Sequence, residues 1–142
     1  IGVFVSLYLV SFLRRLVGLD GWRTAAVFGL FQAVNVGAGW VLPGDLLNGS
    51  VMYLPVMGAL LVMAGYLLSR GSTAARPFVT GTALFAVSLT LRSLDMALCA
   101  ALPIGTHFLW HLLNAEVLRR MVLSLLLAAP RVGRQCKAGP VA

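Results

Sequence analysis

The chain has 142 residues, 60% of them apolar and 11% charged, and a soluble domain of this size leaves too much surface in water to hide so much hydrocarbon. Lipid is the solvent that such a composition requires. The formal charge of +7 would suit nucleic acid, but the basic residues stand in short groups between long apolar runs. That is the distribution of topology signals and of contacts to anionic headgroups, and it excludes nucleic acid as the expected partner in favour of membrane lipids.

The chain opens at Ile1 inside an apolar run, without an initiator Met or the basic start of a signal peptide, and is expected to be a fragment of a longer protein. Residues 1–13 are too few to cross the hydrocarbon core, which takes about 20 apolar residues. They read as the end of a truncated helix, with Arg14 and Arg15 marking where it leaves the membrane. Four further stretches, 24–42, 49–68, 77–100 and 104–128, have the length and apolarity of membrane helices. The expected fold is therefore all-α: a polytopic transmembrane helix bundle over residues 1–129 with five spans.

The connections at 18–23, 43–48, 70–76 and 101–103 are short and carry turn residues. Arginines occupy the first and third (Arg14, Arg15 and Arg23; Arg70 and Arg76) and basic residues recur after the last span, whereas the second and fourth contain no Lys or Arg. The positive-inside rule then places the C-terminal tail in the cytoplasm and the turn before the last span outside. Residues 130–142, basic and containing Gly133, Gly139 and Pro140, are expected to form a disordered cytoplasmic tail. Cys99 and Cys136 fall on opposite sides of the membrane and are not expected to pair.

Ionisable side chains inside spans are costly and each requires a reason. The last span begins with His107 and His111 at i and i+4, on one helix face and close enough to ligate a single metal ion. With Trp110 between them and no other histidine in the chain, metal binding is favoured over a pair of interior histidines hydrogen-bonded to neighbouring helices. Haem is disfavoured, because two imidazoles on one face of one helix cannot clamp it from opposite sides.

Catalytic zinc takes three protein ligands and leaves a position for water. The third could be Asp95, Cys99 or a residue upstream of Ile1. Arg92 and Asp95, at i and i+3, can form a local ion pair fixing the fourth span against the fifth; alternatively Asp95 accepts an imidazole N–H and orients a ligand. Glu116 with Arg119 and Arg120 is expected to form an ion-paired cluster. Gln32, Asn35, Gly37, Gly39, Tyr53 and Pro55 read as packing and kink positions.

The spacing Asp95-x-x-x-Cys99, followed by Gly105-Thr106-His107-Phe108-Leu109-Trp110-His111, resembles the alkaline ceramidases and their bacterial relatives. These are seven-helix membrane hydrolases in a superfamily with the progestin and adipoQ receptors. Weaker matches are Asn48-Gly49-Ser50 with Tyr53-Leu54-Pro55, and the run 1–15, which is similar to the family's third helix. The likeness extends to Ala128 and aligns the chain to helices three to seven.

It implies that His107 and His111 are two of three zinc-ligating histidines. The third histidine, a serine and a catalytic aspartate would lie upstream of Ile1, so the fragment alone is expected to be inactive. It also disfavours Asp95 as a ligand, since the family's Asp-x-x-x-Cys element is not counted among its metal ligands, and implies that Cys99 matches a cysteine that in some members bonds to one near the N-terminus. The implied activity is hydrolysis of the amide of a ceramide-like lipid to a fatty acid and a sphingoid base, with Zn2+ activating water. Two other readings stay open: a membrane zinc hydrolase of another lipid amide or ester, and a receptor-like membrane protein without turnover.

Overall fold

The structure, a computed structural model, describes residues 2–98 and 105–128. Cys99, the turn at 101–103 and the tail at 130–142 lie outside the described residues. All regular structure among the described residues is helical: α1 (Gly2–Phe12), a π-helical turn (Leu13–Val17), α2 (Gly21–Val41), a 3-10 turn (Ser50–Tyr53), α3 (Leu54–Ser69), α4 (Ala75–Leu98) and α5 (His107–Ala128).

Three segments are long and apolar enough to cross a membrane: Gly21–Val41, Ser50–Ser69 and Ala75–Leu98. The other two helices fall short for physical reasons. α1 has 11 residues. α5 has 22 residues but carries Glu116, Arg119 and Arg120 near its middle.

Several boundaries differ from the sequence expectation. Helix continues past Arg14 and Arg15 to Val17 and stops at Gly18, whose φ of 80° suits glycine and whose N–H donates to the Leu13 carbonyl. α2 starts at residue 21 rather than 24 because Asp20 caps it, its carboxylate accepting the Arg23 N–H at 2.9 Å.

α2 lies at the periphery, and Thr24 is its one buried residue. Trp22 is 70% exposed and Trp40 88%. The two indoles are 18 residues apart, about 27 Å along a helix rising 1.5 Å per residue. That is close to the thickness of a hydrocarbon core, about 30 Å, and compatible with a membrane-crossing helix.

Since lipid is as apolar as a leucine side chain, helices in it associate through close packing and polar contacts. The most extensive helix interface is between α4 and α5. It closes over Gly81, where an added Cβ would lie 3.0 Å from Met121 Cε and 3.3 Å from Arg120 Cβ. Ser88 and Ser124 are fully buried. Gly39 likewise allows α2 to approach the 3-10 turn, since a Cβ there would meet Met52 Cε at 3.2 Å.

Aromatic packing joins α1 to the bundle, with Phe12 6.0 Å from both Phe78 and Tyr66, centroid to centroid. The Tyr8 hydroxyl and Ser124 Oγ are hydrogen-bonded at 2.7 Å. The acidic and basic cluster forms as expected. Glu116 receives Arg119 through two bonds and Arg120 through one at 2.7 Å, and Arg120 also donates to Thr80 Oγ1 at 2.8 Å, tying α5 to α4.

Candidate metal site

The first turn of α5 is built from α4. Gly105, with φ of 66°, turns the backbone in the left-handed region. Thr106 follows it, 4% exposed. Its N–H donates to Asp95 Oδ1, its hydroxyl lies 2.7 Å from the Leu91 carbonyl, and its own carbonyl accepts from Leu109 N–H at 3.0 Å. A carboxylate therefore satisfies a backbone donor at a helix N-terminus, where negative charge is favoured.

Asp95 thus links α4 to the start of α5, but through a partner other than the expected Arg92. Asp95 bonds to Thr106 rather than Arg92, and neither imidazole is hydrogen-bonded to another described residue. Asp95 sets the start of the helix from which His107 projects.

His107 and His111 are both exposed, their ring centroids 4.9 Å apart and their planes at 74°. Zinc takes imidazole nitrogens at about 2.0–2.1 Å, so small side-chain rotations bring one nitrogen from each ring onto one ion. Among the described residues no group of three or more His, Cys, Asp or Glu is placed to hold a metal. The donor set fits two positions of a three-ligand zinc site, and neither Asp95 nor any other described side chain is gathered as the third.

Trp110 points inward from the histidine face and is 3% exposed. Its ring packs 5.2 Å from Tyr53 and 6.3 Å from Phe85, and its carbonyl accepts from Ser88 Oγ at 3.3 Å.

Arg92, expected beside Asp95, turns the other way. Its guanidinium carbon lies 5.2 Å from the Trp110 ring and 5.7 Å from the Tyr53 ring, and its Nε is buried without a hydrogen-bond partner among the described residues. Aromatic faces hold the cation in place of a carboxylate. Asn48 Nδ2 donates to the Arg92 carbonyl at 3.0 Å, and Gly49, at φ of 75°, leaves space where a Cβ would come 3.4 Å from Arg92 Nη2. Asn48, Gly49 and Tyr53 from one stretch thus meet Arg92 and Trp110 from two others.

Below the histidines a narrow apolar cavity of about 40 Å³ runs into the bundle, bounded by Tyr8, Leu60, Met63, Asn114, Leu118 and Met121 among others. Its size admits a few methylene groups without further opening. Positions 107, 111, 114 and 118 fall on one helical stripe at i, i+4, i+7 and i+11. That stripe passes from exposed imidazoles to buried Asn114 and the cavity wall.

Of the contributors that sequence reasoning missed, Thr106 carries a signal, since Thr just before a helix is a common cap. The aromatic seat of Arg92 has none. Comparison with protein-family models, with curated proteins and with solved structures returns no significant match, so the likeness to alkaline ceramidases stands on the motif residues themselves.

Proposed function

We propose that this chain belongs to an integral membrane zinc-dependent hydrolase resembling the alkaline ceramidases, cleaving the amide of ceramide-like lipids. It would contribute five spans of a seven-helix bundle, with the arginine-rich end and the tail cytoplasmic and the imidazoles toward the outer face. The observation that carries the proposal is the imidazole pair, 4.9 Å between centroids and exposed, one turn above an apolar slot on the same stripe of α5.

His107 and His111 would hold the ion, with the remaining ligand and the catalytic carboxylate supplied, as in the family, by residues upstream of Ile1. Bound zinc supplies an activated water and polarises the scissile carbonyl. Asp95 and Thr106 fix the first turn of α5, from which His107 projects one turn before His111. The apolar walls take hydrocarbon of the acyl chain and keep water from it, leaving the polar end of the lipid at the histidines.

Metal analysis of the full-length protein tests the proposal. His107→Ala and His111→Ala are each expected to reduce zinc affinity at least tenfold and to abolish release of fatty acid from labelled ceramide. Unchanged zinc content in both variants overturns the metal site; turnover of acyl esters but not of ceramide overturns the substrate.

A further inference from the structure

At the opposite end of the bundle from the histidines lies a cleft of about 350 Å³. It is bounded by Arg15 in the π-helical turn, Arg70 at the end of α3, Ser72 and Thr73 in the α3–α4 turn, and Leu16 and Leu127. We propose that this cleft binds the phosphate headgroup of an anionic membrane glycerophospholipid, a site independent of the metal reading.

Charge is the first support. Arg23 is paired with Asp20, Arg119 and Arg120 with Glu116, Arg92 packs on aromatic rings, and Arg14 donates to the Leu19 carbonyl. The guanidinium groups of Arg15, Arg70 and Arg76, by contrast, make no hydrogen bond or ion pair with a described residue; of the three, Arg15 and Arg70 line the cleft, and no carboxylate does so among the described residues. A topology signal needs basic residues near a membrane end, but it does not need two of them from different elements facing one polar recess. Guanidinium groups offer forked donors that match phosphate oxygens.

The rest of the recess fits the same ligand. Ser72 Oγ accepts the Ala74 N–H at 3.2 Å ahead of α4, so its own hydroxyl proton remains for an acceptor. The C-terminal ends of the π-helical turn and of α3 disfavour an anion by about half a charge each, and the N-terminus of α4 favours one by a similar amount. Two full positive charges outweigh that balance.

Thr73 Oγ1 donates to the Leu127 carbonyl at 3.3 Å, and Tyr66 to the Leu16 carbonyl at 3.4 Å, so the walls are tied across three elements. Leu16 and Leu127 beside the arginines offer apolar surface to the start of the acyl chains, which inorganic phosphate lacks. Basic pockets between helix ends are where anionic headgroups bind membrane proteins.

The test uses the full chain reconstituted with spin-labelled phosphatidylglycerol or phosphatidylcholine, reading the ratio of their association constants. Wild type is expected to prefer phosphatidylglycerol, and Arg15→Gln/Arg70→Gln to lower that preference roughly tenfold or more, through the loss of two direct guanidinium–phosphate contacts. The charge-matched pair Arg14→Gln/Arg76→Gln should stay within twofold of wild type. Ser72→Asp retains a cap for Ala74 while placing a carboxylate in the cleft, and should remove the preference with both arginines intact; circular dichroism checks each variant's fold. Equal loss in the two double variants would show a diffuse surface charge and overturn the site. So would no preference in wild type, an unaltered preference in Ser72→Asp, or displacement of the lipid by millimolar inorganic phosphate.

Discussion

Asp95 illustrates how one side chain is assigned its work by what lies beside it. On its helix it has Arg92 at i−3, and a local pair is the simplest expectation. Across the helix junction lies an unsatisfied backbone N–H, at Thr106, and the carboxylate goes there. Asp95→Ala leaves that donor without its partner, a loss of about 1–3 kcal/mol. It is expected to lower amide-exchange protection in the first turn of α5 and, through His107, to weaken zinc binding. Asp95→Asn, which keeps an oxygen acceptor, should retain most of both. Equal protection in wild type and Asp95→Ala would refute the capping role.

The histidine pair is legible in the sequence because i, i+4 periodicity is a property of a single helix. The seat of Arg92 is not, because it depends on how the 3-10 turn bearing Tyr53 lies across α4, between residues 39 apart in the chain. Helical pattern carries no information about such a register.

At the scale of elements, the α4–α5 interface turns on Gly81. A β-carbon there meets Met121 Cε, the end of a flexible chain that can swing aside, and Arg120 Cβ, which cannot move without its backbone. Alanine in a helix interior is favoured over glycine by about 1 kcal/mol, and a shift of a few tenths of an ångström offsets that gain, so Gly81→Ala should be near neutral. Gly81→Val adds volume and a branched carbon that Arg120 Cβ blocks, and is expected to cost about 1–3 kcal/mol. Thermal unfolding in detergent measures both, and Gly81→Val/Met121→Ala should recover part of the loss. A Tm for Gly81→Val equal to that of wild type would mean that the helices are not packed this closely.

Helix ends were legible to the extent that local chemistry marks them. Gly18 and Asp20 are visible stop and start signals, and with them the α1–α2 boundary shifts to where the structure has it. The π-helical turn at Leu13–Val17 has no such mark: both its arginines are good helix formers, and only the packing around it and Gly18 decides the hydrogen-bond pattern.

For the whole molecule, alternation of the helices puts Arg14, Arg15, Arg23, Arg70 and Arg76 at one end and the histidines at the other. The proposed topology follows if the positive end is cytoplasmic. With Cys99 and Cys136 replaced by serine, Asp45→Cys is expected to react with a membrane-impermeant maleimide applied outside intact cells, and Thr73→Cys only after permeabilisation. Both positions are exposed loop residues. Labelling of both from the same side would sink the arrangement, and labelling in the reverse sense would invert it.

The burial of Trp110 also makes the chain its own spectrometer. Of three tryptophans, Trp22 and Trp40 stand on the lipid-facing helix, and Trp110 sits inside, next to His111 in sequence and against a guanidinium. Replacing the outer two by phenylalanine leaves a single indole whose emission arises within one residue of the imidazole pair. A quenching ion such as Co2+, offered in place of zinc, would then darken it as the pair fills, so that occupancy could be titrated by fluorescence without any added dye.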